Sequence, residues 1–261
     1  MLGKLFKHEM KAMSRLLLPL YLVLAILTIM DRVVIYLDIF KGVLGIIPGL
    51  ITFAYVVAII AMIIVSFVII VVRFYKNLMS DEGYLMFTLP VKAHNLINSK
   101  LFASTIWNVA SVVGVIVSLL IVFSGSSHFK EIPDAWQSMV SELKNTFGSS
   151  YSLLIIEFIV MLIIGLFNGT LMIYVSIALG QFFRGHKILG SFAAYIGIYT
   201  VVQIITTVLT VVIGLAFKNI ISDFDVLPQI IFPLTSLFLL ALTVVYYWVT
   251  NFIFERKMNL D

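Results

Sequence analysis

The chain has 261 residues, of which 62% are apolar and only 11% are charged. Soluble domains are about 45–50% apolar and about 25% charged. Most of the surface of this protein is therefore not expected to face water. The absence of cysteine excludes disulfides, thiolate metal sites and cysteine nucleophiles. These figures predict an all-α integral membrane protein.

Residues 1–15 predict an amphipathic helix that precedes the first membrane span. The basic face consists of Lys4, Lys7, Lys11 and Arg15, and the opposite, apolar face of Leu2, Leu5, Phe6, Met10 and Met13. We expect this helix to lie along the inner membrane surface in contact with lipid. Glu9 falls at the edge of the apolar face, where a carboxylate is out of place unless another group meets it.

Six apolar stretches are long enough to cross a bilayer, because a hydrocarbon core about 30 Å thick requires roughly 20 helical residues. They predict one transmembrane domain over residues 1–261, with spans at 16–37, 43–72, 101–123, 151–180, 188–217 and 230–254. Asp31 and Arg32 interrupt the first span. The second, fourth and fifth spans exceed the minimum length, so we expect them to tilt or to project beyond the hydrocarbon.

The placement of Lys and Arg predicts that both ends of the chain lie in the cytoplasm. With the amino terminus inside, twelve of the 17 basic residues are inside, as the positive-inside rule requires. The other five are Arg32, Lys41, Lys130, Lys144 and Lys218. We therefore expect a multi-pass protein of the cell membrane, in which orientation explains the excess of basic residues without a nucleic-acid partner.

The inside loop over residues 73–100 joins the second and third spans and is too long for a simple turn. Ser80 can cap a short helix whose first turn holds Asp81 and Glu82, because acids favour a helix amino terminus. Pro90 biases the preceding residue toward extended geometry and so ends that helix. Residues 84–87 are all apolar, and they are expected either to dock a cytoplasmic partner, which we favour, or to pack against headgroups or the protein's own helices.

On the outer side, residues 134–147 predict a second amphipathic helix that caps the outer face. Its apolar residues recur at helical intervals, and Gly148 ends the pattern. These residues are Trp136, Met139, Val140, Leu143 and Phe147.

Three features carry a family resemblance: the opening MLGKLFKHEMKA, the loop RFYKNLMSDEGYLMFTLPVKAHNLINSK that ends in Lys100, and four further spans. Together they resemble the permease subunit of type-2 ABC exporters, in a group from Gram-positive bacteria. In that family the loop holds the coupling helix, which sits in a groove of the ATPase subunit, and the amino-terminal helix is the connecting helix. The resemblance implies that the ATPase docks at Asp81, Glu82, Gly83, Tyr84, Leu85, Met86, Phe87 and Pro90.

The resemblance also implies that ATP and Mg are bound by that partner. A phosphate-cradling loop needs G-x-x-x-x-G-K-[ST], and the sequence contains no such run. We therefore expect no catalytic residue, cofactor or metal site in this chain, which is expected to be a transport subunit and not an enzyme. A second permease chain, identical or different, is expected to complete the pathway.

Polar residues within the spans are candidates for a pathway or gating role. Apart from the interruption at Asp31, Glu157 is the only acid in a predicted span, and an ionised side chain there costs about 2.5–3.5 kcal/mol. Glu157 is also near enough to Tyr151 to reach the outer interface. Asn108 and Gln203 are the other two candidates.

Two spans carry their polar residues on single faces. These are Ser104, Asn108, Ser111 and Ser118 in the third span, and Gln203, Thr206, Thr207 and Thr210 in the fifth. Such a face would line a pathway or, more commonly, form hydrogen bonds between packed spans.

These features together predict ATP-driven export of an amphipathic or hydrophobic molecule, such as a peptide antibiotic, a lipid-like molecule or a drug. One alternative is an ion-coupled secondary transporter, which would normally carry several intramembrane charges or broken helices in two matching halves. The other is a nontransporting membrane protein with an immunity or sensor role.

Overall fold

The computed structural model describes residues 2–37, 46–79, 92–124, 127–183, 185–216 and 227–256. Within these ranges there are seven α-helices and no strand. The helices are α1 (Leu2–Leu37), α2 (Ile46–Met79), α3 (Ala93–Phe123), α4 (Ser127–Phe147), α5 (Tyr151–Gly180), α6 (Lys187–Ala216) and α7 (Phe232–Arg256). Six segments are long and apolar enough to cross a membrane, which confirms the predicted number of spans.

The helix α1 is continuous over 36 residues. At about 1.5 Å per residue it is about 54 Å long, well beyond a hydrocarbon core of about 30 Å. It has no break at residues 15–16, the predicted boundary between an interfacial helix and the first span. The basic residues at 4, 7, 11 and 15 are exposed. Of the predicted apolar face, Met13 is buried and Leu2 is exposed, so a position along the membrane surface stays a prediction.

The amphipathic segment predicted for residues 134–147 lies within α4, which begins earlier, at Ser127. A 3₁₀ turn, Gly148–Ser150, separates α4 from α5. Gly148 has a φ of 49°, a left-handed conformation that glycine adopts without the steric cost of a side chain. The glycine predicted to end the outer helix is therefore the residue that lets the chain turn into α5.

The chain divides into two compact units, a division that the prediction of one transmembrane domain did not include. The first comprises Met1–Arg73 and Asn98–Gln137, and the second comprises Phe74–Ile97 and Ser138–Asp261. In the first unit, α1, α2 and α3 share an apolar core. Its buried residues are Leu24, Tyr55, Met62, Val115 and Val122.

In the second unit, α5 contacts both α6 and α7. A Cβ atom on Gly180 would lie only 2.6 Å from Ser191 Cα, so glycine is required at this close contact between α5 and α6. The rings of Phe74 and Tyr174 stack with their centroids 3.6 Å apart, and Phe254 meets Phe74 edge-on at 5.9 Å. These buried aromatic side chains anchor the unit at the loop-proximal end of α2.

Candidate functional site at the base of the 73–100 loop

The eight residues predicted to dock the ATPase, residues 81–87 and Pro90, lie outside the described residues. The helices that flank these residues are described: α2 ends at Met79 and α3 begins at Ala93. Arg73 on α2 and Lys100 on α3 stand at the two ends of the predicted loop. The base of the loop is therefore defined by two basic residues.

Glu9 of α1 bridges these two basic residues. Its Oε2 accepts hydrogen bonds from Arg73 Nη2 at 2.9 Å and from Arg73 Nε at 3.3 Å. Its Oε1 accepts a hydrogen bond from Lys100 Nζ at 2.5 Å. The three side chains, termed the ion triad below, thus connect three helices through one carboxylate.

The ion triad is largely withdrawn from solvent, because Glu9 is 5% exposed and Lys100 is 4% exposed. Removing charges from water costs several kcal/mol per ion, and only good partner geometry offsets that cost. Both oxygens of Glu9 have a cationic donor, which meets this condition. Withdrawing Glu9 would leave Arg73 and the buried Lys100 without their shared carboxylate, so the triad resists being pulled apart.

The signal for this site was partly visible in the sequence. The sequence places Glu9 on the margin of an apolar face and Arg73 and Lys100 at the ends of the loop. It does not predict their pairing, because the partners are 64 and 91 residues away along the chain. Only the packing of α1, α2 and α3 brings them together.

Further polar contacts join the same three helices away from the triad. The hydroxyl oxygen of Ser111 lies 2.9 Å from the Tyr21 hydroxyl and 2.9 Å from the Ser66 hydroxyl. Tyr55 and Ser118 form a similar pair at 3.1 Å. The interhelical hydrogen bonds predicted for the third span are confirmed at Ser111 and Ser118.

Asn108 belongs to the same predicted face but has a different setting. Its side chain is half-buried, and no hydrogen bond joins it to another residue in the described ranges. A pathway role for Asn108 stays a prediction.

Asp31, an interruption of the first span in the sequence, is a buried acid in the structure. It is 1% exposed, and its Oδ1 accepts a hydrogen bond from Thr52 Oγ1 at 2.6 Å. Its Oδ2 has no hydrogen-bond partner in the described part of the chain. Asp31 lies about 33 Å along α1 from Glu9, at about 1.5 Å per residue. Its burial had no sequence signal, because it depends on α2.

Glu157 lies on α5, half-buried, where it faces α7. The Ser236 hydroxyl of α7 lies 3.5 Å from its Oε2, at the outer limit of a hydrogen bond. Further along the same two helices, the Asn168 side chain donates to the Thr243 hydroxyl at 3.0 Å. Glu157 is thus part of a polar seam between two packed helices, and its gating role stays a prediction.

The polar face of the fifth span does not make the interhelical hydrogen bonds expected of it. Thr206, Thr207 and Thr210 each donate to a carbonyl of their own helix at 2.8 Å. The amide of Gln203 is exposed and has no partner among the described residues. The reason is geometric, because this face of α6 does not pack on its own unit.

The described ranges contain no group of three or more His, Asp or Glu residues placed to hold a metal ion. What the candidate site offers instead is a buried network of charges at the base of a loop. Comparison with known proteins adds no family assignment, since no family model, curated protein or solved structure matches this chain.

Proposed function

We propose that this chain is the permease subunit of an ATP-binding cassette exporter that moves an amphipathic or hydrophobic molecule. ATP and Mg would be bound by a separate cytoplasmic ATPase that docks on residues 81–87 and Pro90. Two permease chains would enclose the pathway. The observation that carries the proposal is the ion triad, because it fixes both ends of the docking loop to the amino-terminal helix.

The mechanical argument starts from the cost of separating the triad. A loop transmits a displacement only if its base moves together with the spans. Glu9 holds Arg73 and Lys100 in one desolvated cluster, and breaking a buried pair by losing one partner typically costs about 3–5 kcal/mol. Movement of the docked loop would therefore displace α1, α2 and α3 together, and so alternate access to the pathway.

The surroundings of the triad support a cytoplasmic placement. Basic residues 4, 7, 11 and 15 of α1 are exposed close to Glu9, where they would meet anionic headgroups of the inner leaflet. This orientation places the amino and carboxyl termini and the docking loop in the cytoplasm, in line with the positive-inside rule.

The proposal is tested by incorporating a photoreactive amino acid at Phe87 in cells that express the chain. We expect capture of a soluble protein with a P-loop, identified by mass spectrometry. A photoreactive residue at Phe53, which is 67% exposed on α2, is the control and should capture only lipid. If the Phe87 probe captures nothing except phospholipid while export is active, the proposal is wrong.

Asp31 favours a second candidate function, ion-coupled transport. Secondary transporters use acids inside their spans, and Asp31 is buried with one oxygen that has no donor in the described ranges. Purified chain in vesicles without any ATPase would then move substrate in response to an imposed proton or sodium gradient. Gradient-driven transport that Asp31→Asn abolishes would establish this function in place of the first.

A further inference from the structure

The turn between α5 and α6 combines basic and aromatic residues and has no acid near it in the sequence. Its residues include Phe182, Phe183, Arg184, His186 and Lys187. No Asp or Glu occurs anywhere between Glu157 and Asp223. The helices α5 and α6 have 30 residues each, about 45 Å at about 1.5 Å per residue. Because the hydrocarbon core is only about 30 Å thick, this length places the turn at the depth of the lipid headgroups.

A cavity of about 360 Å³ lies beside this turn, within the second unit. Its lining comes from α2, from the turn and from the start of α6. The lining residues are Tyr75, Gly185, His186, Lys187, Ile188 and Leu189. Cavities of about 300–1,000 Å³ are typical of small-molecule sites. This one joins three polar side chains to two aliphatic ones, so it suits a ligand with a polar and an apolar part.

The polar side chains that line the cavity lack partners from the described part of the chain. No hydrogen bond or ion pair joins the side chain of Tyr75, His186 or Lys187 to another described residue. Glu255, an exposed acid at the carboxyl-terminal end of α7, forms no ion pair with either basic residue. Lysine has three donors, and tyrosine and histidine each have a donor of their own. The cavity therefore offers donors and positive charge to an anion from outside the chain.

The turn is held in place by contacts with the first residues of α6. A Cβ atom placed on Gly190 would lie 2.6 Å from the Phe183 ring, which shows how closely the turn packs on the helix. The Gly190 N–H donates to the His186 carbonyl oxygen at 2.8 Å. The cavity is therefore formed before a ligand arrives, which lowers the entropic cost of binding.

The apolar part of the lining indicates which anion fits. Ile188 and Leu189 are 69% and 67% exposed, and Phe192, one helical turn beyond Ile188, is 65% exposed. These side chains extend an apolar surface from the cavity along α6 toward the hydrocarbon. A free phosphate ion would make no use of that surface, whereas the acyl chain of a phospholipid would cover it. Basic pockets at the cytoplasmic ends of spans are known to bind anionic lipid headgroups.

We propose that this cavity binds the phosphate headgroup of an anionic phospholipid of the inner leaflet. Lys187, His186 and the Tyr75 hydroxyl donate to the phosphate oxygens, and an acyl chain lies against Ile188 and Phe192. The bound lipid contacts α2 and α6 at once. The inference goes beyond the proposed function, because it requires a membrane but no ATPase.

The first test is lipid binding to the delipidated chain in detergent, followed by native mass spectrometry. Dioleoyl phosphatidylglycerol and dioleoyl phosphatidylcholine are compared, since both contain phosphate but only the first is anionic. We expect phosphatidylglycerol to bind about fivefold more tightly, the effect of one lysine near an anionic lipid. Equal affinity for the two lipids would overturn the proposal.

Lys187→Gln should lower the affinity for phosphatidylglycerol about fivefold and leave that for phosphatidylcholine unchanged. The matched control is Lys11→Gln, which removes the same charge from an exposed position on α1. Its effect should be less than about twofold, because it lies outside the cavity. Equal losses in the two variants would indicate diffuse attraction to the whole basic surface and would overturn the proposal, as would an unchanged affinity in Lys187→Gln.

A second measurement needs no variant. Phosphatidylglycerol with a photoreactive headgroup should label wild-type chain mainly within residues 181–192, as mapped by mass spectrometry of peptides. Label spread evenly over the basic segments of the chain would contradict a defined site. Inorganic phosphate that displaces the lipid at equal concentration would identify a soluble phosphate as the ligand and overturn the lipid assignment. Capture of an ATPase at Phe87 is measured separately, so failure here is distinguishable from failure of the proposed function.

Discussion

The polar face of α3 and the polar face of α6 look alike in the sequence and differ in the structure. On α3, Ser111 and Ser118 form hydrogen bonds with side chains of α1 and α2. On α6, Thr206, Thr207 and Thr210 bond only to their own helix, and Gln203 is exposed. The same pattern therefore serves internal packing in one helix and is available to a partner in the other.

The difference shows how far polar periodicity can be interpreted. A polar stripe on a spanning helix indicates that its side chains need hydrogen-bond partners, because lipid offers none, and a threonine hydroxyl can find one on its own helix. It does not indicate what covers the stripe. On α3 the polar face is covered by α1 and α2. On α6 the polar face is exposed.

The largest expected effect is that of Glu9→Gln on the contacts among α1, α2 and α3. Replacing Glu9 by Gln removes the charge that compensates Arg73 and Lys100, so we expect destabilisation of about 3–5 kcal/mol. The measurement is the midpoint temperature of unfolding in detergent, taken from the monodisperse fraction after heating.

Lys7→Gln is the control for Glu9→Gln, since Lys7 is an exposed charge on the same helix. Its effect should stay within about 0.5 kcal/mol. Equal midpoints for the two variants would show that the ion triad does not hold α1, α2 and α3 together.

The two polar faces are compared directly by Ser111→Ala and Thr207→Ala. Ser111→Ala breaks contacts with Tyr21 and Ser66, so we expect a loss of about 0.6 kcal/mol in monomer stability. Thr207→Ala removes only a bond to its own helix and should leave monomer stability unchanged. Similar unfolding midpoints for both variants would contradict the claim that only the polar face of α3 stabilises the monomer.

The smallest effect is expected at Asp31. Asparagine keeps an oxygen that accepts the Thr52 hydrogen bond and replaces the buried carboxyl group with a neutral amide, so stability should be unchanged or slightly higher. ATP-driven export should also be unchanged in Asp31→Asn. A complete loss of export in a folded variant would instead favour the ion-coupled mechanism.

The number of spans was predictable from the sequence because bilayer thickness fixes the length of an apolar helix. The exposure of the basic residues at 4, 7, 11 and 15 of α1 was predictable for a related reason, since 3.6-residue periodicity is local. The continuity of α1 across residues 15–16 was not predicted. Charge patterning marks where the membrane surface is expected, and it does not mark whether the helix breaks there.

Local sequence patterns could not identify the partners of Glu9 and Asp31. Glu9 was recognised as out of place, but its pairing with Arg73 and Lys100 depends on packing across 64 and 91 residues. Asp31 only interrupts an apolar run in the sequence, because its contact with Thr52 on another helix leaves no local sequence signal. The division into two units depends on long-range packing in the same way.

The central claim is that the loop between Arg73 and Lys100 receives an ATPase. Its most direct test is the amount of ATPase that co-purifies with wild type, Tyr84→Asp, Phe87→Asp and Trp136→Asp. Trp136 is a matched control because it is 64% exposed and apolar but lies on α4, on the predicted outer side. We predict that wild type and Trp136→Asp retain the ATPase and that the two loop variants lose it. Equal recovery with all four folded proteins would contradict the account.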